Sequence, residues 1–156
     1  MTRTKVSRRK LFATGACVLV SAVAERASAL RGQHLENEEI VRKYYAAWEN
    51  KDLGTFNALL ADNFTFTSAA GDDHISKSTF KSQCWDTQVD FIQKSDLEQI
   101  STGEDYAFVK YLCHTKNGKT FRNVEYLRIA SGKLESIECY FGAQSSFPSA
   151  VSTGQK

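Results

Sequence analysis

The sequence lacks the paired cysteines of a disulfide framework. Of its four cysteines, Cys17 falls in an N-terminal segment with the features of a removable signal, and Cys84, Cys113 and Cys139 are an odd remainder. Cys113 and Cys139 are expected on the first and third strands of a meander, too far apart for a disulfide, whose Cα atoms must lie within about 7 Å. All three read as small buried apolar residues. Also missing are a Gly-rich phosphate loop and any established metal-ligand spacing, so neither cofactor nor metal is expected. The apolar run from Leu11 to Ala24 is short of the ~20 residues of a membrane span. There is no internal repeat or low-complexity block. Proline occurs once, at Pro148, in a Ser/Gly/Thr-rich tail from Ala143 without hydrophobic periodicity, which is expected to be mobile.

What is present begins with Ser7-Arg8-Arg9-Lys10-Leu11-Phe12, the apolar run that follows, and Ala27-Ser28-Ala29, a cleavage site of A-x-A type. This order reads as a twin-arginine export signal over residues 1–29; an ordinary secretory signal or an uncleaved anchor is the alternative. The signal would be the chain's one link to a membrane, and the expected location is periplasmic or secreted. It holds 6 of the 20 basic residues and 1 of the 18 acidic ones, so the remainder carries 14 against 17, a net −3. No cationic stripe is left to track a nucleic-acid backbone, and a nucleic-acid partner is not expected. Residues 30–35 read as a linker, 36–142 as a single domain and 143–156 as the tail.

Within the domain, Ile40, Tyr44 and Trp48 recur every four residues beside Val41 and Tyr45, giving a helix with one broad apolar face. Asn37 is expected to cap it, with Glu38 and Glu39 in its first turn. Asn50-Lys51-Asp52 breaks the pattern, and Asp52 starts a short second helix carrying Phe56, Leu59 and Leu60. Ala61-Asp62-Asn63 ends that helix, and Phe64 to Ser68 alternates as a half-buried strand. A loop over Ala69 to Asp73 leads to a short strand at His74-Ile75, then to a third helix capped by Ser76 or Ser78 and bearing Phe80, Cys84 and Trp85. Val89 to Ile100 suits a long twisted strand. Glu104 to Lys116 and Thr120 to Ile129 alternate about the hairpin signal Asn117-Gly118, and Ser131-Gly132 turns the chain into Lys133 to Phe141.

The segment Val41 to Phe66, with Gly132-Lys133-Leu134 and Tyr140-Phe141-Gly142 at the other end, resembles the SnoaL-like group of the nuclear-transport-factor-2-like superfamily. That resemblance implies an α+β cone of about three N-terminal helices packed on a strongly curved mixed sheet. It does not by itself imply an activity, because the superfamily contains isomerases, cyclases, dehydratases, epoxide hydrolases, binders and assembly domains.

Alternation places Phe121, Asn123, Glu125, Leu127 and Ile129 on the inner face of the sheet, with Val109, Tyr111, Cys113, Ile137 and Cys139. Trp48, Phe64, Phe66, Phe80, Trp85 and Phe121 are then expected to line a pocket for a small hydrophobic molecule, with Tyr44, Ser68, Asn123 and Glu125 as its polar groups. A filled core is the alternative. Glu125 is the leading candidate for chemistry, since a carboxyl among aromatic residues is desolvated and can trade a proton near neutral pH; a purely structural pairing with an arginine or with Tyr44 is the competing reading. His74, after Asp72 and Asp73, is a candidate acid or base at the rim. Cys84 has no identifiable activator and does not read as a nucleophile.

Similarity to ketosteroid isomerase, a relative within the superfamily, implies that Tyr44 stands at the oxyanion-hole tyrosine and Glu125 at or beside the protonated carboxylic acid. The general-base position is taken by Ser68, whose hydroxyl cannot replace a carboxylate at neutral pH. These residues point to cofactor-free acid–base isomerisation, cyclisation, hydration or dehydration, with a non-catalytic carrier as the alternative. A third alternative is a dimerising scaffold using the outer sheet face, where Phe108, Lys110, Leu112, His114, Tyr126 and Tyr140 form a mixed surface suited to a homodimer.

Overall fold

The structure, a computed structural model, describes residues 13–141, with side chains from residue 23. Ser7 to Phe12 of the expected export signal and the tail 143–156 lie outside the described residues. The chain divides into two units, one ending at Gln33 and one beginning at His34. The first is helical throughout its described part, including residues 30–33, so the expected linker is helix there. Among the described residues no helix is long and apolar enough to cross a membrane.

The second unit is the α+β domain. Helix α1 (Ala13–Asn50) contributes Val41, Tyr44, Tyr45, Ala47 and Trp48 to the core, as the four-residue period requires. The expected cap at Asn37 is not one, because the helix continues upstream of it. Asn37 is instead fully buried, and its Nδ2 donates to the carbonyls of Gly103 at 2.9 Å and Glu104 at 3.2 Å. It thereby holds the turn between two strands. Glu38 and Glu39, no longer at a helix start, pair with Arg42 and Lys43 one turn on; such exposed pairs contribute little to stability.

Asp52 caps α2 (Leu53–Leu59), accepting from the Thr55 amide. Leu60, expected on the helix, opens β1 (Leu60–Ser68), so Ala61 to Asn63 are already strand. A tight loop leads to β2 (Ile75–Ser76). Ser76, rather than Ser78, caps α3 (Lys77–Phe80) through the Thr79 amide. The helix widens to π geometry over Lys81–Trp85 and ends in α4 (Asp86–Gln88). Four strands follow: β3 (Ile92–Thr102), β4 (Tyr106–Thr115), β5 (Thr120–Ala130) and β6 (Lys133–Tyr140).

The sheet runs β2-β1-β6-β5-β4-β3. All neighbours are antiparallel except β1 and β6, which run parallel because the helical segment and the meander separate them in sequence. Register shifts in β1, β3 and at Arg128/Ile129 are the kind of irregularity that bends a sheet. At the β3–β4 turn a Cβ on Gly103 would meet the Tyr106 ring at 2.1 Å, so any larger residue there requires that ring to move.

Inward residues of β4 and β5 are buried as alternation demands: Ala107, Val109, Tyr111, Cys113, Asn123, Glu125, Leu127 and Ile129. Between sheet and helices lies an aromatic cluster centred on Phe56, whose ring centroid is 4.2 Å from that of Trp85, 5.5 Å from Trp48, 5.8 Å from Phe80 and 6.1 Å from Tyr44.

Candidate functional site

The core does not fill the cone. A cavity of about 560 Å³ remains between the helices and the inner sheet face, within the size range of small-molecule sites. Tyr44, Trp48, Phe66, Phe80, Phe121, Ser68, Asn123 and Glu125 all line it. Phe64 and Trp85, expected in the wall, do not. Phe64 lies under the Phe80 ring at 5.3 Å, and Trp85 packs between Phe56 and Trp48 at 4.2 and 4.8 Å. Both support the wall from behind.

Glu125 is 6% exposed and forms the polar floor. Tyr45 Oη donates to its Oε2 at 2.7 Å and Tyr111 Oη to its Oε1 at 2.8 Å. Among the described residues no arginine pairs with it. Its pKa is raised from the ordinary carboxyl value because loss of hydration disfavours the charge, and this outweighs the opposing pull of the two tyrosines and Cys139. The tyrosine hydroxyls are driven upward in turn by burial and by the Glu125 charge, so both remain proton donors at neutral pH.

The tyrosine that reaches Glu125 is therefore Tyr45, not Tyr44. Both are buried on α1, but consecutive helical residues point about 100° apart. Tyr44 instead sets its ring edge-on to Trp48, centroids 6.5 Å apart, and its hydroxyl is likewise pushed up by burial first and Glu125 second. Tyr111 escaped sequence reasoning as a functional group, although its signal was there: it shares the inner face and stands across from Asn123, one diagonal from Glu125.

Asn123 extends the network. Its Nδ2 donates to Tyr111 Oη at 3.0 Å and to Cys139 Sγ at 3.5 Å, while Oδ1 is buried with no hydrogen-bond partner among the described residues. A buried acceptor of this kind costs about 1–3 kcal/mol, and a ligand donor in the cavity would satisfy it. All three cysteines beyond Cys17 are free and line the cavity. The Cys84 thiol is pushed up to about 11, by burial first and then by the charges of Asp72 and Glu125, which makes it a poor nucleophile.

His74 does not join the site. Its side chain is 75% exposed, beside Asp73 with Nδ1 at 2.5 Å from Oδ1, and it is not among the cavity's lining residues. The loop contributes Asp72 instead. His34 lies near Thr102, and His114 pairs with Asp96 at 2.7 Å, away from the cavity. Among the described residues no group of three or more His, Cys, Asp or Glu is arranged to hold a metal.

Six strands curving around three helical segments, with an aromatic cavity closing on a buried carboxyl, define a cone-shaped α+β domain with an internal cavity. The chain belongs to the SnoaL-like domain family, which residues 41–137 match. No curated protein matches the sequence. Among solved structures it is similar to a protein of ketosteroid-isomerase-like fold from Catenulispora acidiphila, in complex with trimethylamine, at 19% identity and a TM-score of 0.56 over 69% of this chain and 88% of that one. It is also similar to an LEH-like epoxide hydrolase from M. tuberculosis, at 14% identity and a TM-score of 0.59 over 70% and 84%. A de novo designed protein with a curved β-sheet shares 13% identity and a TM-score of 0.61 over 70% and 87%. At such identities the likeness is one of fold, and fold alone does not fix chemistry.

Proposed function

We propose that this protein binds a small hydrophobic molecule in the cone and acts on it by cofactor-free acid–base chemistry, an isomerisation, cyclisation, hydration or dehydration in which Glu125 carries the proton. One observation carries the reading: a carboxyl desolvated at the floor of a cavity, with a tyrosine hydroxyl on each oxygen. Such a group keeps its proton at higher pH than a solvated carboxyl and can hand it to a ligand oxygen. The aromatic wall favours a flat apolar body, and Asn123 Oδ1 would orient a donor on it. The similarity to an LEH-like epoxide hydrolase and to a trimethylamine complex supports a cavity that admits small organic molecules. The proposal includes export through residues 1–29, supported by the order of basic, apolar and A-x-A segments.

The probe 2-tetralone, small, flat and acidic beside its carbonyl, tests both halves. Binding should quench tryptophan emission through Trp48 in the wall, and in D2O the protein should accelerate exchange of the probe's α-protons, followed by NMR. Unchanged emission would argue against binding, and exchange no faster than in buffer would argue against catalysis.

A homodimer through the outer sheet face is the second part of the reading. There Phe108 and Tyr140 are 46% and 55% exposed, and Tyr106, Phe108 and Tyr126 form a surface cluster with Phe108 and Tyr126 centroids 5.0 Å apart. Tyr126→Lys should convert a dimeric mass to a monomeric one in light scattering; a mass unchanged by the substitution argues against this interface.

A further inference from the structure

Acid–base chemistry on a carbon acid needs a proton acceptor as well as a donor, and Ser68 cannot supply one. The loop after β1 can. Gly71, at φ +106, lets the chain double back within a few residues. Asp72 then lands beside Ser68: the Ser68 amide donates to the Asp72 carbonyl at 3.0 Å, and Ser68 Oγ donates to Asp72 Oδ2 at 2.5 Å. Asp72 is half-buried and lines the cavity.

Sheet register fixes where Ser68, the hydrogen-bond partner of this carboxylate, stands relative to Glu125. Ser68 pairs with Cys139 and Cys139 with Glu125, so Ser68 and Glu125 occupy one transverse row, two strand spacings or about 10 Å apart. Asp72 and Glu125 line the same cavity, with Cys84 of the helical segment Lys81–Trp85 in its wall as well. The other ionisable groups of the wall do not compete. Arg122 is engaged by Glu98, its Nε at 3.1 Å and its NH2 at 3.0 Å from Oε1, and the thiols and phenols are held protonated.

We infer that Asp72 is the proton acceptor of this site, held by Ser68 as its positioning residue and facing Glu125 across the cavity. This rests on the acid–base reading above. The Asp72 carboxylate takes a proton from the carbon beside a carbonyl. The electron pair of that C–H bond becomes the C=C bond of an enol, as the carbonyl oxygen takes the proton of Glu125. Asp72 is then a carboxylic acid and Glu125 a carboxylate held by Tyr45 and Tyr111. Return of the Asp72 proton to the same carbon, or to the far end of a conjugated enol, with return of the enol proton to Glu125, restores both groups.

Asp72→Asn separates basicity from geometry, because the amide oxygen still accepts from Ser68 Oγ. It should slow 2-tetralone α-exchange by about 10²–10⁴-fold while leaving the quenching titration unchanged. Ser68→Ala, which frees the carboxylate without removing it, should lower the maximal exchange rate by less and leave the half-saturating probe concentration in place. Asp73→Asn, in the exposed neighbour, should change nothing. Exchange by the wild type that survives Asp72→Asn undiminished overturns the role of Asp72 alone. Exchange that is absent in the wild type overturns the acid–base reading on which it rests.

Discussion

Replacing Glu125 by Gln is expected to cut 2-tetralone exchange by about 10²–10⁴-fold, the usual worth of a positioned general acid or base, with the fold retained. The substitution is nearly isosteric, and both tyrosines keep a partner, since the amide oxygen accepts and a rotated hydroxyl can accept from the amide nitrogen. What is lost is the transferable proton. Turnover that survives undiminished would remove Glu125 from the chemistry.

The same substitution has a signature in stability. The folded-state pKa of Glu125 is raised above the ordinary 4.5. Below that value both folded and unfolded chains hold the proton and the group is neutral in the balance. As pH rises past it the unfolded chain releases the proton while the folded chain keeps it, so stability falls until the raised value is reached. Glu125→Gln removes that slope. Urea midpoints of the two proteins should therefore diverge in favour of the variant as pH climbs from about 4.5; parallel curves would mean that the carboxyl is not desolvated in solution.

Phe56→Ala should be the costliest single truncation, about 3–5 kcal/mol for a large buried aromatic residue whose site cannot collapse. Phe56 is fully buried, and it is the ring against which Tyr44, Trp48, Phe80 and Trp85 all pack. Three of those four line the cavity, so the variant should also weaken 2-tetralone quenching. The check is the urea midpoint. A loss below about 1 kcal/mol, the level of an ordinary substitution, would contradict the central place given to this ring.

The strand pattern was legible in the sequence because alternation is local. The inward set on β4 and β5, from Ala107 to Cys113 and from Asn123 to Ile129, follows from a two-residue period and one buried face, and Asn117-Gly118 set the hairpin between them. Asp52 was legible as a cap for the same reason: the amide it satisfies is three residues away. Asn37 was not, because its partners are 66 and 67 residues distant and a local reading sees only a polar residue before an apolar stripe. The helix end expected there depended on what lies upstream, which the spacing of Ile40, Tyr44 and Trp48 does not encode.

By itself, then, the sequence determined the α+β class, the faces of the strands, and that a carboxyl at position 125 would lie on the buried side among aromatic residues. Each of these depends on periodicity within one element. Only the tertiary structure decided that the cone is hollow, since a cavity is the volume left after distant elements pack, and that Phe64 and Trp85 support its wall rather than form it. It also decided which groups share the site. The helix turns Tyr45 rather than Tyr44 onto Glu125, and the strand register brings Tyr111 to the same carboxyl. A glycine turn sets Asp72 against Ser68 and leaves His74 in solvent. Contacts between residues far apart in the chain follow from the angles at which helix, sheet and loop meet, and no single element records them.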